Sequence, residues 1–331
     1  MNKKYDFIII GGGSSGIVTA SQIIEKLNAT VLIIEEGPSD WHPLIKMPAG
    51  VINFLEKEKF VKHYKTIPQK QLNGRSHHIT QASILGGGSS INGMVYMRGR
   101  PSDYDEWSDS TKEKNWSYQS MLPYFKLVED NNRLFDENHG IGGDLKVSDS
   151  KDTCELTKIY VKTMQAMGHP YNPDFNSGNQ RGVGYMQFNI DQGVRCNATK
   201  AFLSNNKFKK FLTISTKSKA TKIIFKNDKA IGVEFYKNKI KNTVFANNEI
   251  ILTAGSFNSP KLLMLSGIGN EEELKKHSIE KVFISEGVGQ NLQDHHEVSV
   301  ISKTKPGYGY FGQDKGLKML KNIFQYLLFK E

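Results

Sequence analysis

Two runs of four consecutive apolar residues, Phe7-Ile8-Ile9-Ile10 and Val31-Leu32-Ile33-Ile34, bracket a glycine-rich turn and a helix-like stretch. Unbroken apolar runs of this length read as buried strands, so the pattern predicts strand, turn, helix and strand over residues 6–35. Beyond Pro38 the chain turns polar, and Pro43, Pro48 and Pro68 break any long helix, which predicts a loop-rich excursion to about Gln81. Glycine and serine then replace side-chain bulk from Gly86 to Gly93, hemmed by Leu85, Ile91 and Val95. Such a segment lies flat against a ligand and offers it N–H and hydroxyl groups, where a flexible linker would carry no apolar hem.

A helical period over 104–132 makes Trp107, Trp116, Tyr118, Leu122, Tyr124 and Phe125 the expected packing residues, and a second amphipathic helix is expected over 155–167. From Thr213 short β-rich runs follow at 220–225, 230–235, 244–246 and 249–253, with an Asn227-Asp228 turn. They predict an antiparallel meander that returns to the main sheet. The last run enters Ala254-Gly255 and a helix over 256–267 with Pro260 near its first turn, so the order strand, glycine, helix recurs. A final helical pattern, 317–329, has apolar residues with little in the chain to cover them.

The first turn carries a specific chemistry. In Gly11-Gly12-Gly13-Ser14-Ser15-Gly16, Gly11 permits the turn, Gly13 lets a pyrophosphate approach the backbone, and Gly16 lets the helix pack on the strand. Ser14 and Ser15 open the helix, whose first N–H groups are free for an anion. Glu35 follows Gly16 at the spacing of about 20 residues where a carboxylate accepts from ribose hydroxyls. The pattern marks a dinucleotide site and does not separate NAD from FAD.

Composition narrows the class without naming it. The chain has 331 residues, 38% apolar, enough for one large core or two modest ones, and no apolar run approaches a membrane span. Cys154 and Cys196 stand alone, with no metal-ligand or disulfide spacing, which fits a reducing, cytoplasmic setting. The neighbouring pairs His77-His78 and His295-His296 lack the spacing of metal ligands, so no metal is expected. The net charge of +10 comes from dispersed lysines. It reads as a solvated surface, with no nucleic-acid partner and with weak attraction to an anionic membrane face.

Three segments resemble the glucose-methanol-choline (GMC) oxidoreductase family: the N-terminal fingerprint with Glu35, the stretch 82–105, and Gly255 to Gly269. In the second, Leu85-Gly86-Gly87-Gly88-Ser89, Ile91-Asn92, Tyr96 and Gly99 fall where the family's first signature wants them, and the third satisfies its second signature. Gly287 to His295 is a further familiar run. Ser83 departs from the usual Arg or Lys. The run Met94 to Trp107 looks most like the choline dehydrogenase and alcohol dehydrogenase branch.

The resemblance implies an α/β fold with α+β elements: a Rossmann-like FAD-binding domain with a β-meander insertion over 1–300, carrying excursions at 38–81 and 101–195, and the beginning of a substrate-binding domain over 301–331. It implies that Gly11, Gly13, Ser14, Ser15, Gly16 and Glu35 hold the adenosine diphosphate. Ile84, Asn92, Gly93, Met94 and Val95 would lie along the flavin and its linker, and Ala220 would meet the adenine; Gly86, Gly87 and Ser89 of the glycine-serine segment and Gly255 of the recurring strand-glycine-helix turn are further expected cofactor contacts. Some members link flavin through a histidine in the Gly-Ser segment; the matching residue here is Ile91, so FAD is expected to be non-covalent.

The implied reaction is oxidation of a primary alcohol, choline or another, to the aldehyde, with hydride passing to flavin N5. The acceptor, oxygen or a quinone, is left open. The family's catalytic base is a histidine in its C-terminal part, and no histidine here matches it, so no catalytic residue is expected in this chain, neither His295 nor His296. The expectation is therefore a fragment inactive alone, or a split-gene or inactive flavin protein needing a second, C-terminal polypeptide. A hydroxynitrile lyase on the same fold is a third reading. The dehydrogenase branch also suggests a place peripheral to the inner face of a membrane.

Overall fold

Residues 7–10 and 31–34 are buried on both faces because each lies in the middle layer of a three-layer arrangement. In the computed structural model, which describes residues 4–53, 58–204, 208–295, 297–305, 308–310 and 312–329, strand β1 (Lys4–Ile10) pairs in parallel with β2 (Val31–Ile34), Phe7 opposite Val31 and Ile10 opposite Ile34. Between them runs helix α1 (Ser14–Leu27). The side chains of Phe7, Ile9, Val31 and Ile33 pack with Ala20 and Ile24 of α1. Those of Tyr5, Ile8, Ile10, Leu32 and Ile34 point to the opposite face. Strand alternation thus splits one apolar run into two cores.

A β-hairpin follows in the stretch expected to be loop-rich: β3 (Val61–Lys65) and β4 (His78–Ala82), paired antiparallel from Val61 opposite Ala82 to Lys65 opposite His78. The chain re-enters this unit at the short helix α2 (Ala198–Phe202) and the parallel strand β5 (Leu212–Ser215), which lies beside β2. The meander is β6 (Ser218–Lys226), β7 (Lys229–Lys237) and β8 (Ile240–Leu252), each antiparallel to the next. The runs expected at 244–246 and 249–253 are one strand, because the polar residues 247–249 stay extended as β8 passes from the meander to the parallel sheet beside β1. The six strands stand in the order β5-β2-β1-β8-β7-β6. Ile223, Val233, Phe235 and Val244 of the meander cover the face that Ile8 and Ile10 present, with Leu262 of helix α3 (Gly255–Leu265). Pro260 lies inside α3, beyond its first turn. The α/β class with a parallel sheet and meander is therefore the observed one.

By contact the chain divides into two compact units, 1–92 with 197–296, and 93–196 with 297–331. Residues 93–196, which take in the expected excursion at 101–195, build a four-stranded sheet of their own, ordered Val95–Tyr96, Gln187–Phe188, Leu145–Asp149, Glu129–Asn131. The helix expected over 104–132 breaks into Pro101–Thr111 and Tyr118–Val128, with Lys112 in the left-handed conformation between them and Glu129–Asn131 extended. Trp107 is 53% exposed and Tyr124 62%. They are not core residues: Tyr104 gathers Trp107, Tyr118 and Phe125 into a surface aromatic cluster. Glu155–Ala166 is helical as expected, and so is Gly316–Phe329, whose Leu317 and Phe324 are exposed. Among the described residues no helix is long and apolar enough to cross a membrane. His296 and Glu331 lie outside the described residues.

The second unit has a polar centre. Glu129 is fully buried and pairs with the buried Arg98. Its Oε1 also accepts from Asn131 Nδ2 at 2.7 Å, and Asn131 exchanges hydrogen bonds with Gln187. The ring of His139 bridges Glu129 Oε1 (2.8 Å) and Asp174 Oδ2 (3.0 Å), so both nitrogens face carboxylates and the ring is an imidazolium. Burial pulls its pKa down, but the bonds to Asp174 and Glu129 outweigh burial and push it up to about 9. A raised histidine pKa stabilises the fold in full below the unfolded value of about 6.5, and that stabilisation is lost as pH rises through about 9. Raising the pH from about 7 to about 10 should thus lower the thermal midpoint more in the native chain than in His139→Gln; parallel melting curves for the two across that range would contradict this.

Candidate functional site

β1 ends against a backbone that leaves no room for a side chain. Gly11 has φ +106°, and a Cβ there would stand 2.4 Å from Thr253 O. A Cβ on Gly16 would stand 2.1 Å from Gly11 O and 3.2 Å from Ile9 Cγ2, so this glycine brings α1 down onto β1. Gly13 is extended, caps α1 without any side-chain hydrogen bond, and has only Gly87 Cα within 4 Å of a built Cβ. The first-turn N–H groups of α1 have no intrahelical acceptors, and the dipole places partial positive charge there.

A second glycine loop crosses the first. Gly86 and Gly87 both have positive φ, Gly86 N donates to Gly12 O at 2.7 Å, and a Cβ on Gly87 would lie 2.8 Å from Gly13 Cα. Ser89 Oγ donates to Gly86 O and accepts from Ala198 N, which commits it to the loop's own geometry. Glu35 does similar work: Oε2 accepts from Gly12 N (2.8 Å) and Oε1 from Gly37 N (2.7 Å). Burial pushes its pKa up against the pull of these two amides. A carboxylate offers about four lone-pair positions, so both oxygens retain capacity for ligand hydroxyls.

These elements surround a cleft of about 350 Å³ within the first unit. Of the residues expected to bind a cofactor, Gly11, Gly13, Ser14, Ser15, Glu35, Ile84, Gly87, Ala220 and Gly255 line it. Gly16, Gly86 and Ser89 lie outside that lining, and Asn92 is exposed at the end of the unit. Gly93, Met94 and Val95 belong to the second unit, where Met94 is buried with φ +61° and Val95 opens a strand. Gly255 has φ +83° and no atom within 4 Å of a built Cβ, at the start of α3, whose cap residue Ala254 makes no side-chain hydrogen bond. Two uncapped helix N-termini thus open on one cleft.

Sequence reasoning missed the outer wall. Lys62 and Gln81 of the hairpin line the cleft, as do Gly88, Ser218, Phe257 and Asn258. Tyr64 stacks on Phe257, centroids 5.1 Å apart and planes 12° apart, which fastens hairpin to α3. The pair Asn73-Gly74 between the two strands was the available signal. Among the described residues that line the cleft there is no histidine; His295 is exposed elsewhere.

The GMC oxidoreductase pattern matches residues 5–297. This chain belongs to the GMC oxidoreductase family. It is 37% identical over 330 residues to the alcohol dehydrogenase [acceptor] of Pseudomonas putida, covering 98% of this chain and 59% of that protein. It is 40% identical over 295 residues to the oxygen-dependent choline dehydrogenase of Brucella anthropi, covering 89% and 53%. The solved FAD-dependent oxidoreductase from Chaetomium thermophilum superposes with a TM-score of 0.81 at 32% identity, over 88% of this chain and 52% of that one. The chain spans somewhat more than half the length of these relatives. The GMC match takes in both glycine loops, Glu35 and the start of α3.

Gly11 and Gly13 of the first loop separate by substitution in this GMC chain. Gly11→Ala forces a Cβ into Thr253 and should cost roughly 2–4 kcal/mol of stability. Gly13→Ala keeps an allowed backbone and an ordinary contact, so its cost should stay within about 1 kcal/mol. Denaturant melts of both variants check this; equal losses would show that the turn does not depend on Gly11.

Proposed function

We propose that this chain binds FAD without a covalent link and serves the oxidation of an alcohol CH–OH group, with choline or another primary alcohol as substrate. The observation that carries the reading is the pair of crossed glycine loops beneath the uncapped start of α1, with Glu35 beside them. The names of the relatives, an alcohol dehydrogenase, a choline dehydrogenase and an FAD-dependent oxidoreductase, support it.

The residues fit such a dinucleotide. Space above Gly13 and Gly255 is free of side chains, and the first-turn N–H groups of α1 suit a diphosphate. Ser14 and Ser15 add hydroxyls at the same end, and Glu35 retains acceptor capacity for ribose. Ala220 at the start of the meander lines the cleft with a small side chain. Ile91 offers no nucleophilic atom for a covalent link. When bound, the flavin would supply the hydride acceptor for a CH–OH carbon. No residue of this chain is assigned as the base that takes the hydroxyl proton.

The test is reconstitution. Purified chain incubated with FAD should retain flavin on gel filtration and release it, unaltered, to the supernatant on acid precipitation. Gly13→Ala should weaken FAD binding about tenfold or more while leaving the melt close to native. A chain that takes up no flavin, or flavin that stays with the precipitate, would overturn the cofactor reading. Anaerobic bleaching of the retained flavin by choline or simple alcohols would carry the alcohol reading, and bleaching by none of them would count against it for this chain.

The net charge of +10 supports peripheral association with an anionic membrane face. Co-sedimentation with phosphatidylglycerol vesicles is expected at low salt and should fade toward 0.5 M salt, roughly the range in which screening removes such attraction. Absence of binding at low salt would sink the idea.

A further inference from the structure

Asp40 lies outside the cleft lining, on a stretch that runs against the approach to the second glycine loop. Leu85 N donates to Pro38 O at 2.9 Å, and a Cβ on Gly37 would stand 2.1 Å from Ser83 O. Asp40 Oδ2 accepts from Asn197 Nδ2 at 2.8 Å and from the Thr199 hydroxyl. Asn197 is buried, and both polar atoms of its side chain are engaged: Nδ2 also donates to Ser90 Oγ (2.9 Å), while Oδ1 accepts from Lys200 N and caps α2. Ser90, fully buried, passes its own hydrogen to Leu85 O at 2.8 Å. In parallel, Ala198 N donates to Ser89 Oγ, which donates to Gly86 O at 2.6 Å.

Two short relays therefore run from the start of α2 to the carbonyls of Leu85 and Gly86. These are the residues beside the Gly86 N–H that crosses to Gly12. Residue 86 has to be glycine beside Ser90, since a Cβ there would come within 2.1 Å of Ser90 Oγ. Asn197 has one orientation, because turning its amide would set an N–H₂ against Lys200 N–H and leave Asp40 facing an oxygen.

We propose that Asp40 is a positioning residue for the cofactor: it orients Asn197, and through Ser90 holds the second glycine loop against the first. This role rests on the chain's binding FAD. What Asp40 contributes is an acceptor oxygen, so asparagine, which keeps one, should substitute and alanine should not. Alanine leaves a buried N–H of Asn197 unpaired, a loss of the order of one tenfold step in a local equilibrium.

The experiment compares native chain, Asp40→Ala and Asp40→Asn by hydrogen exchange without flavin and by titration with FAD. In Asp40→Ala the amides of Gly86, Ser89, Ile91 and Asn92 should exchange about tenfold faster, those of β1 and β8 at native rates, and FAD should bind about tenfold more weakly. Asp40→Asn should stay within about threefold of native in both. Native exchange at residues 86–92 in Asp40→Ala, or an Asp40→Asn as impaired as the alanine variant, would overturn the proposal. Should Asp40→Ala fail to fold, Ser90→Ala breaks the same relay at its middle, and native exchange at 86–92 in that variant would overturn it equally. Should the native chain take up no FAD, the function proposed above fails, while the exchange rates still decide the role of Asp40.

Discussion

The 2.7 Å hydrogen bond from Gly86 N to Gly12 O is the constraint on which the first unit depends. Glycine stands on both sides of the crossing, at Gly12, Gly13, Gly86 and Gly87, and at Gly87 a Cβ would come within 2.8 Å of Gly13 Cα. A Cβ on Gly12 would sit 2.7 Å from Leu85 Cδ1, so even the neighbouring apolar residue is set by the crossing. The floor of the cleft is therefore peptide on peptide, with no side chain at the crossing.

That floor is held in place by what lies beneath it. β1 and β2 stop at Ile10 and Ile34 in register, and Gly11 N donates to Ile34 O. Each fully buried isoleucine in these strands contributes about 1.5–3 kcal/mol, and the alternation sends half of them to the α1 face and half to the meander face. The ends of the strands cannot slide without exposing one set, so both loops inherit a fixed origin. The second unit solves the same problem differently. Its centre is a network of charges and amides around Glu129, where a missing partner would leave a buried charge unpaired. Its geometry is thus tied to protonation in a way the apolar unit is not.

The strands β1 and β2, the turn at Gly11 and the meander were legible because each leaves a local trace: an unbroken apolar run, a glycine at positive φ, a period of two with turn residues between. The hairpin β3–β4 was not, since its residues alternate between half-buried and exposed and its polar composition imitates a loop. The aromatic residues around Tyr104 misled for the opposite reason. Helical spacing of large rings signals a shared face, and the face is shared, but its partners are the rings themselves at the surface. Asp40 left no trace at all, because its role exists only once Asn197, distant in sequence, is beside it.

The fingerprint residues also differ in how far the fold alone accounts for them. Gly11 is required by its φ and by Thr253, Gly16 by the carbonyl of Gly11, Gly87 by Gly13, and Glu35 by two amides that would otherwise be buried without acceptors. Each would be retained in a protein that bound nothing. Gly13 and Gly88 are different: neither has a positive φ, both line the cleft, and neither has an atom closer than 3.9 Å to a built Cβ. Alanine would fit at either position as far as this chain is concerned. A matched motif therefore speaks first for the turn, and to the crossed loops and Glu35 these two glycines add positions whose missing side chains leave room for something that is not protein.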